Sequence, residues 1–396
     1  MKSLQMRYNA MQMLFWFASC AMMGYIAVFL GYKGLTNTQI GIASGGACLA
    51  NIVMSPWLSS FLKIKWMTIK KLMTGVLAMD MALYFLISVL PLPAVVIIPL
   101  YIITYSLNVS CVPFLSTVCM DYIRAGRDVN FGLARGLGSV SYAISAVLMG
   151  VLIKRMNATV LPIVYAAAFA LFILVLVTMP KVEEQEEDVK KPESSVGKII
   201  KEYPVFFRML LGWTFSFAAA TALATYLIDI VTSLGGDTSL YGVAVFCMAA
   251  SELPIMALSP LLMKRFNSIL LLMIAGFFYI VRNVTICLAP SLLVLMIGMA
   301  CQSFSYALFT GVITYYVTYH LKDEDQVMGQ TMIAIMSTGC GSMIGNVAGG
   351  VITDAFGLQA MLACCIVMTL IGAAIMMMTG LSLGKTLLKK DCFSDM

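Results

Sequence analysis

Four charged side chains interrupt long apolar runs of this sequence: Asp80, Arg135, Glu252 and Arg282. At the centre of a bilayer a charge costs on the order of 2.5–3.5 kcal/mol on insertion scales, so one retained there faces a cavity, has a partner, or both. Residue type sets what each can do. A carboxyl in a partly dry cavity beside an arginine can load and release a proton at cellular pH. Glu252 with Arg282 is the foremost proton-handling pair, and Asp80 is a third group of this kind, with no basic residue near it in sequence. Arg135 offers a planar fork of donors suited to carboxylates and polar oxygens. Structural readings stand beside these. Arg135 lies six residues into its run, roughly 9 Å by helical rise, within reach of the membrane surface by snorkelling. Glu252 and Arg282 also fit a purely structural ion pair, and Asp80 a carboxyl that simply stays protonated.

Enzyme signatures are missing. The sequence has no HExxH, no GxSxG, no P-loop and no paired carboxylates in a polar loop. Its 11 cysteines lack the spacing of a zinc site or a disulfide framework and read as small packing residues. The single histidine, His320, makes no metal site by itself. No metal and no cofactor is expected.

The elements that must carry these charges follow from composition. Apolar residues make up 61% of the 396, charged residues 11%, and mean hydropathy is +0.94. Soluble domains are about 45–50% apolar and about 25% charged, so this chain needs lipid as its solvent. A bilayer core takes roughly 20 apolar residues per helix. Twelve spans fit, near 7–30, 39–62, 68–90, 94–120, 129–153, 158–180, 204–232, 239–264, 268–288, 291–319, 326–352 and 357–380. The runs do not alternate as barrel strands would. The expected fold class is therefore an all-α polytopic membrane protein.

Basic residues orient it. With the amino terminus inside, 19 of the 25 Lys and Arg fall in inner segments and 3 in outer loops. Inner loops collect Lys and Arg, so both termini are expected in the cytoplasm. The net charge of +6 then reports membrane orientation, and nucleic acid is not an expected partner. The first apolar segment is too long for a signal peptide and reads as a retained helix.

One long polar connection, 181–203, carries both signs of charge and reads as a mostly flexible cytoplasmic linker. It separates an amino-terminal six-helix half, 1–180, from a carboxy-terminal half, 204–380, followed by a cytoplasmic tail, 381–396. A 6+6 plan with a long inner loop is that of the major facilitator transporters, in which substrate binds between the halves near the midplane. Glycines four apart occur in spans 2 (Gly41, Gly45), 5 (Gly132, Gly136) and 11 (Gly341, Gly345, Gly349). They suit close helix approach, either as general packing or where spans 2, 5, 8 and 11 meet across the halves.

At these residues the chain resembles the lactose-permease-like group of major facilitators, which also covers related nucleoside and phenylpropionate permeases. The likeness runs over nearly the whole chain. The segment 24-GYIAVFLGYKGLTNTQIG-41 is similar to the family's first helix and its Gly-Leu-Ser/Thr loop, and 344-IGNVAGGVITDAFGLQAM-361 to its glycine-rich helix and Asp-x-Phe-Gly turn. The resemblance of 131-FGLARGLGSVSYA-143 puts Arg135 on a sugar-binding arginine and Tyr142 on an aromatic that stacks on the sugar. Glu252, in 251-SELPIMALSPLLMKRF-266, falls on a glutamate linking sugar and proton sites. Arg282, in 279-YIVRNV-284, falls on an arginine of proton coupling. Departures accompany these matches. Thr117 stands where the family has an acid partner for the arginine, and Gln302 and Ser305 where it has a histidine and a proton-carrying glutamate.

The resemblance implies a secondary active transporter, a proton symporter importing a small polar solute such as a sugar, glycoside, nucleoside or aromatic acid. Arg135, Tyr142, Thr117, Glu252 and Gln302 would bind the solute, and Glu252, Arg282 and Asp80 would handle protons. It further implies a monomer in the plasma (inner) membrane. A drug exporter of the same fold is the alternative, and a non-transporting receptor a more distant one.

Overall fold

The computed structural model describes residues 2–64, 66–127, 129–180 and 195–383. Among them the regular secondary structure is helical, without strands. A backbone inside lipid must satisfy its own polar groups, and helices do so segment by segment. The chain runs α1 (Lys2–Ser19), α2 (Ile26–Tyr32), α3 (Asn37–Ser60), α4 (Ile69–Val89), α5 (Ala94–Arg124), α6 (Phe131–Arg155), α7 (Val160–Thr178) and α8 (Val196–Glu202). There follow α9 (Pro204–Thr225), α10 (Leu227–Ser233), α11 (Thr238–Arg265), α12 (Ser268–Cys287), α13 (Leu292–Ala300), α14 (Leu308–His320), α15 (Asp323–Ala334), α16 (Ser342–Phe356) and α17 (Leu358–Ser382). Among the described residues eleven helical stretches are long and apolar enough to span a bilayer, and twelve when the bent pair at the amino terminus counts as one span. This is the expected polytopic helical membrane protein.

Helix starts follow from local sequence. Thr36 accepts from the Gln39 amide at 3.4 Å while the Gln39 side chain accepts from the Thr36 amide at 3.1 Å, a capping box that begins α3. Asn130 caps α6 through Leu133 N at 2.8 Å, and Asn267 caps α12 through Ile269 N at 2.7 Å. Such caps are each worth about 1 kcal/mol. Gly357, at φ +84°, takes the left-handed turn between α16 and α17 that an L side chain resists.

The described chain forms two compact units, residues 1–187 with 231–246, and residues 188–230 with 247–396. In the first unit α1 packs on α6 and α7, and α5 on α3 and α4. Its core is aromatic: Phe15, Phe169, Tyr165, Tyr84 and Phe29 meet edge-on, with ring centroids 4.7–5.6 Å apart. In the second unit α17 lies along α9 and α12, and α16 along α9. Trp213 stacks on Phe309 at 4.4 Å and donates to the Tyr279 hydroxyl at 2.9 Å.

The glycine row leading into and along α16 follows the general-packing reading. Gly341, Gly345 and Gly349 face Phe217, Ala218 and Tyr226, so the row is filled by α9 and its continuation within the second unit. A methyl at Gly345 would fall well inside van der Waals contact with the Ala218 carbonyl oxygen. Small residues on both helices give this approach its strength.

The expected linker 181–203 lies largely outside the described residues, as does the tail beyond Leu383. Its last part is ordered as α8, whose start Ser195 caps through Lys198 N at 3.3 Å. Lys198 pairs with Glu324 at 2.7 Å and with the buried Asp325 at 2.9 Å, and the Tyr203 hydroxyl donates to Asp325 at 2.8 Å. Hydrogen bonds from its ammonium to these two carboxylates hold the Lys198 pKa above the usual lysine range. Lys198→Met is expected to loosen α8, and hydrogen exchange over residues 195–203 should accelerate at least 10-fold while α9 stays protected. Unchanged exchange would show that the ion pairs do not hold this helix.

Candidate functional site

In the first unit two of the predicted site residues, Arg135 and Tyr142, lie on α6, which packs against α1. Arg135 and Tyr142 are seven residues apart on α6, which puts them on one face. The Arg135 guanidinium lies 4.2 Å from the Trp16 ring centroid, over its face, and donates to Ser139 Oγ at 2.8 Å. Trp16 meets Tyr142 edge-on at 6.5 Å. The indole is fixed in turn, because Trp16 Nε1 donates to Gln12 Oε1 at 3.1 Å and Gln12 Nε2 to the Tyr8 hydroxyl at 2.8 Å. Gly138 makes room for it: a methyl there would meet Trp16 Cδ1 at 2.5 Å. Arg135, Trp16 and Tyr142 are all only partly buried. The arrangement is a cation lying on one aromatic ring beside a second, with a neutral amide behind. Cation–π contacts are worth from about 0.5–1 kcal/mol at exposed sites to about 2 kcal/mol when desolvated, and this one lies between. It leaves the guanidinium edge suited to a solute's carboxylate or hydroxyls and the rings suited to its apolar face.

Thr117 does not extend this group. Its hydroxyl donates to the Pro113 carbonyl of its own helix at 3.0 Å. Asp80, on α4, belongs to a separate buried network of the first unit, in which the Tyr165 hydroxyl donates to its Oδ2.

Glu252, Arg282 and Gln302 belong to the second unit. Gln302 Nε2 donates to Glu252 Oε1 at 3.0 Å. Arg282 is 1% exposed, and its Nη1 donates to Asn283 Oδ1 at 2.7 Å. Asn283 Nδ2 then donates to Thr369 Oγ1 at 2.8 Å. Arg282 Nε and Gln302 Oε1 are buried without a hydrogen-bond partner among the described residues. A buried guanidinium with an unused donor is costly unless an acceptor reaches it. Gln302 leads into a π-helical turn, Ser303–Ala307, and π turns recur at functional sites. Ser305 serves that turn locally, donating to Cys301 O at 3.1 Å and to Gln302 O at 3.3 Å.

The structure thus brings Arg135 and Tyr142 each to Trp16, and Gln302 to Glu252. It leaves Asp80 apart from Glu252 and Arg282, in the other unit. Trp16, Gln12 and Ser139 were not singled out by sequence reasoning. The legible signal was Gln12 four residues before Trp16, a polar side chain and an indole one turn apart inside an apolar run.

A sequence model of the MFS_1 like family matches residues 6–363. No curated protein matches the sequence. The fold is similar to that of a mutant of the nucleoside transporter NupG, with TM-score 0.81 at 13% identity over 96% of this chain and 100% of that one. NupG without that mutation gives TM-score 0.77 at 14% identity, covering 96% of this chain and 99% of that one. A bacterial homologue of the human lysosomal transporter Spinster, inward-facing and unoccupied, gives 0.66 at 13% identity over 100% of this chain and 99% of that one.

Proposed function

The chain belongs to the MFS_1 like family of membrane transporters, and from that premise we propose that it imports a small polar organic solute in symport with protons. One observation carries the reading: the Arg135 guanidinium laid over Trp16 beside Tyr142. That combination recognises a solute with an apolar ring face and an anionic or hydroxyl-rich edge, which nucleosides, glycosides and aromatic acids share. The likeness in fold to a nucleoside transporter supports placing nucleosides first among the solutes tried.

Glu252 takes up the proton in this proposal. Gln302 orients its carboxyl. The bias of basic residues supports cytoplasmic termini in a plasma (inner) membrane. Each protein molecule works as a monomer, the two units being parts of one chain.

Proteoliposomes under an imposed pH gradient test the coupling, with radiolabelled nucleosides, glycosides and aromatic acids as probes. Glu252→Gln is expected to abolish gradient-driven accumulation while leaving solute exchange at equal pH. Full proton-driven uptake by this variant would remove Glu252 from the coupling, and efflux without uptake would reverse the direction.

A further inference from the structure

Asp80 is 0% exposed, in the middle of α4, and its network joins three other helices. Ser19 Oγ on α1 donates to Asn108 Oδ1 on α5 at 3.1 Å. Asn108 Nδ2 donates to the Tyr165 hydroxyl on α7 at 2.9 Å, and Tyr165 donates to Asp80 Oδ2. Asp80 Oδ1 is buried with no hydrogen-bond partner among the described residues. The titratable groups that face the carboxyl are Tyr84 on its own helix, Tyr101 and Cys111 on α5, and Tyr165 on α7. None of them is a base.

A carboxylate in this place would be a desolvated anion served by neutral donors alone. Burial of an unpaired ion costs several kcal/mol even after relaxation. A proton on Oδ1 removes that charge and leaves Oδ2 to accept from Tyr165. The step is a proton transfer: an O–H bond of a hydronium ion breaks as one forms at Oδ1, a water molecule is left, and nothing is oxidised or reduced.

The surroundings tie this carboxyl to the bend in the first span. Ser19 leads into a π-helical turn, Cys20–Gly24, and the span bends by 51° there. A π turn replaces the i→i+4 pattern with i→i+5 bonds, and carbonyls in this one also take side-chain donors from other helices. Two are reached by tyrosines next to Asp80: Tyr84 donates to Ala21 O at 3.4 Å and Tyr101 to Met22 O at 2.9 Å. The Tyr241 hydroxyl donates to a third, Gly24 O. Two of the helices that enclose the carboxyl, α4 and α5, therefore also cap the bend, and water reaches Oδ1 only if the enclosing helices part.

We propose that Asp80, enclosed by Tyr165, Asn108 and Ser19 beside the bend of the first span, is a proton-binding site of the first unit, loaded while the network is closed and discharged when it opens. The site is distinct from Glu252 and Arg282. It rests on the transport reading only for the use made of the proton.

Infrared difference spectroscopy of the purified full chain tests the site without any solute. Wild type minus Asp80→Asn at neutral pH is expected to show the C=O stretch of a protonated carboxylic acid. A carboxylate stretch in its place would overturn the proposal. Tyr165→Phe keeps the acid and guards against a misfolded Asp80 variant. It should move that stretch to higher frequency, and an unmoved band would mean that the network does not hold the carboxyl. In proteoliposomes, Asp80→Asn should lower stimulation by a pH gradient at least 10-fold while equal-pH exchange persists, and full stimulation would contradict discharge during transport. If wild type itself shows no stimulation, the symport reading fails, while the spectra still decide whether Asp80 holds a proton.

Discussion

Arg135→Ala is expected to weaken solute binding roughly 10- to 100-fold, the loss of one or two hydrogen bonds from a charged donor at about 1.5–3 kcal/mol in all. Uptake at low solute concentration should fall in the same proportion. Arg135→Lys should recover little of it. Lysine keeps the charge but lacks the planar fork and the flat stacking that hold the guanidinium 4.2 Å from the Trp16 centroid. Trp16→Phe should cost less than Trp16→Ala, because a smaller ring retains part of the platform while alanine also frees the guanidinium to swing. The measurements are initial rates of uptake across solute concentration for the four variants. Equal rates for wild type and Arg135→Ala would make Arg135 a surface-seeking cation, the structural reading that its distance from the helix end left open.

Gly345→Leu should have the largest effect on folding. Its side chain would be built into the Ala218 carbonyl, backbone against backbone, where no rotamer change relieves the clash. Overpacking of this kind costs about 3 kcal/mol or more. The expected outcome is a fall in apparent Tm of several degrees, or loss of folded protein in detergent. Gly136→Leu is the control, since a Cβ added at Gly136 meets nothing within 4 Å. Similar losses in both variants would mean that the α9–α16 approach is not what Gly345 secures.

These two cases show what was legible in the sequence. Span number and helix class were readable because burial in lipid leaves few solutions, and a run of about 20 apolar residues is an unambiguous mark of one of them. The start of α3 was readable because 34-GLTNTQIG-41 places a glycine, a threonine and a glutamine where a left-handed residue and a capping box need them. The destination of the Gly341, Gly345 and Gly349 row was not, since a stripe of small residues says that a helix comes close without saying which one. Arg135 was found because a charge stands out in an apolar run, and Tyr142 only through the resemblance of 131-FGLARGLGSVSYA-143 to a permease segment. Trp16 was missed because it arrives from another helix, and its place beside Arg135 depends on the gap left by Gly138, more than a hundred residues away in sequence. The tyrosines that cap the first span's bend were invisible for the same reason. A hydroxyl's partner across helices has no signature in the sequence around it.

The central claim, that solute crosses the membrane by way of Arg135, is tested most directly by uptake into proteoliposomes of wild type and Arg135→Ala, using a solute that thermally stabilises the wild type. The account predicts that wild type accumulates the solute under a pH gradient and that Arg135→Ala does so at least 10-fold more slowly. Stabilisation of wild type without any passage of solute, or equal accumulation by the two proteins, would contradict it.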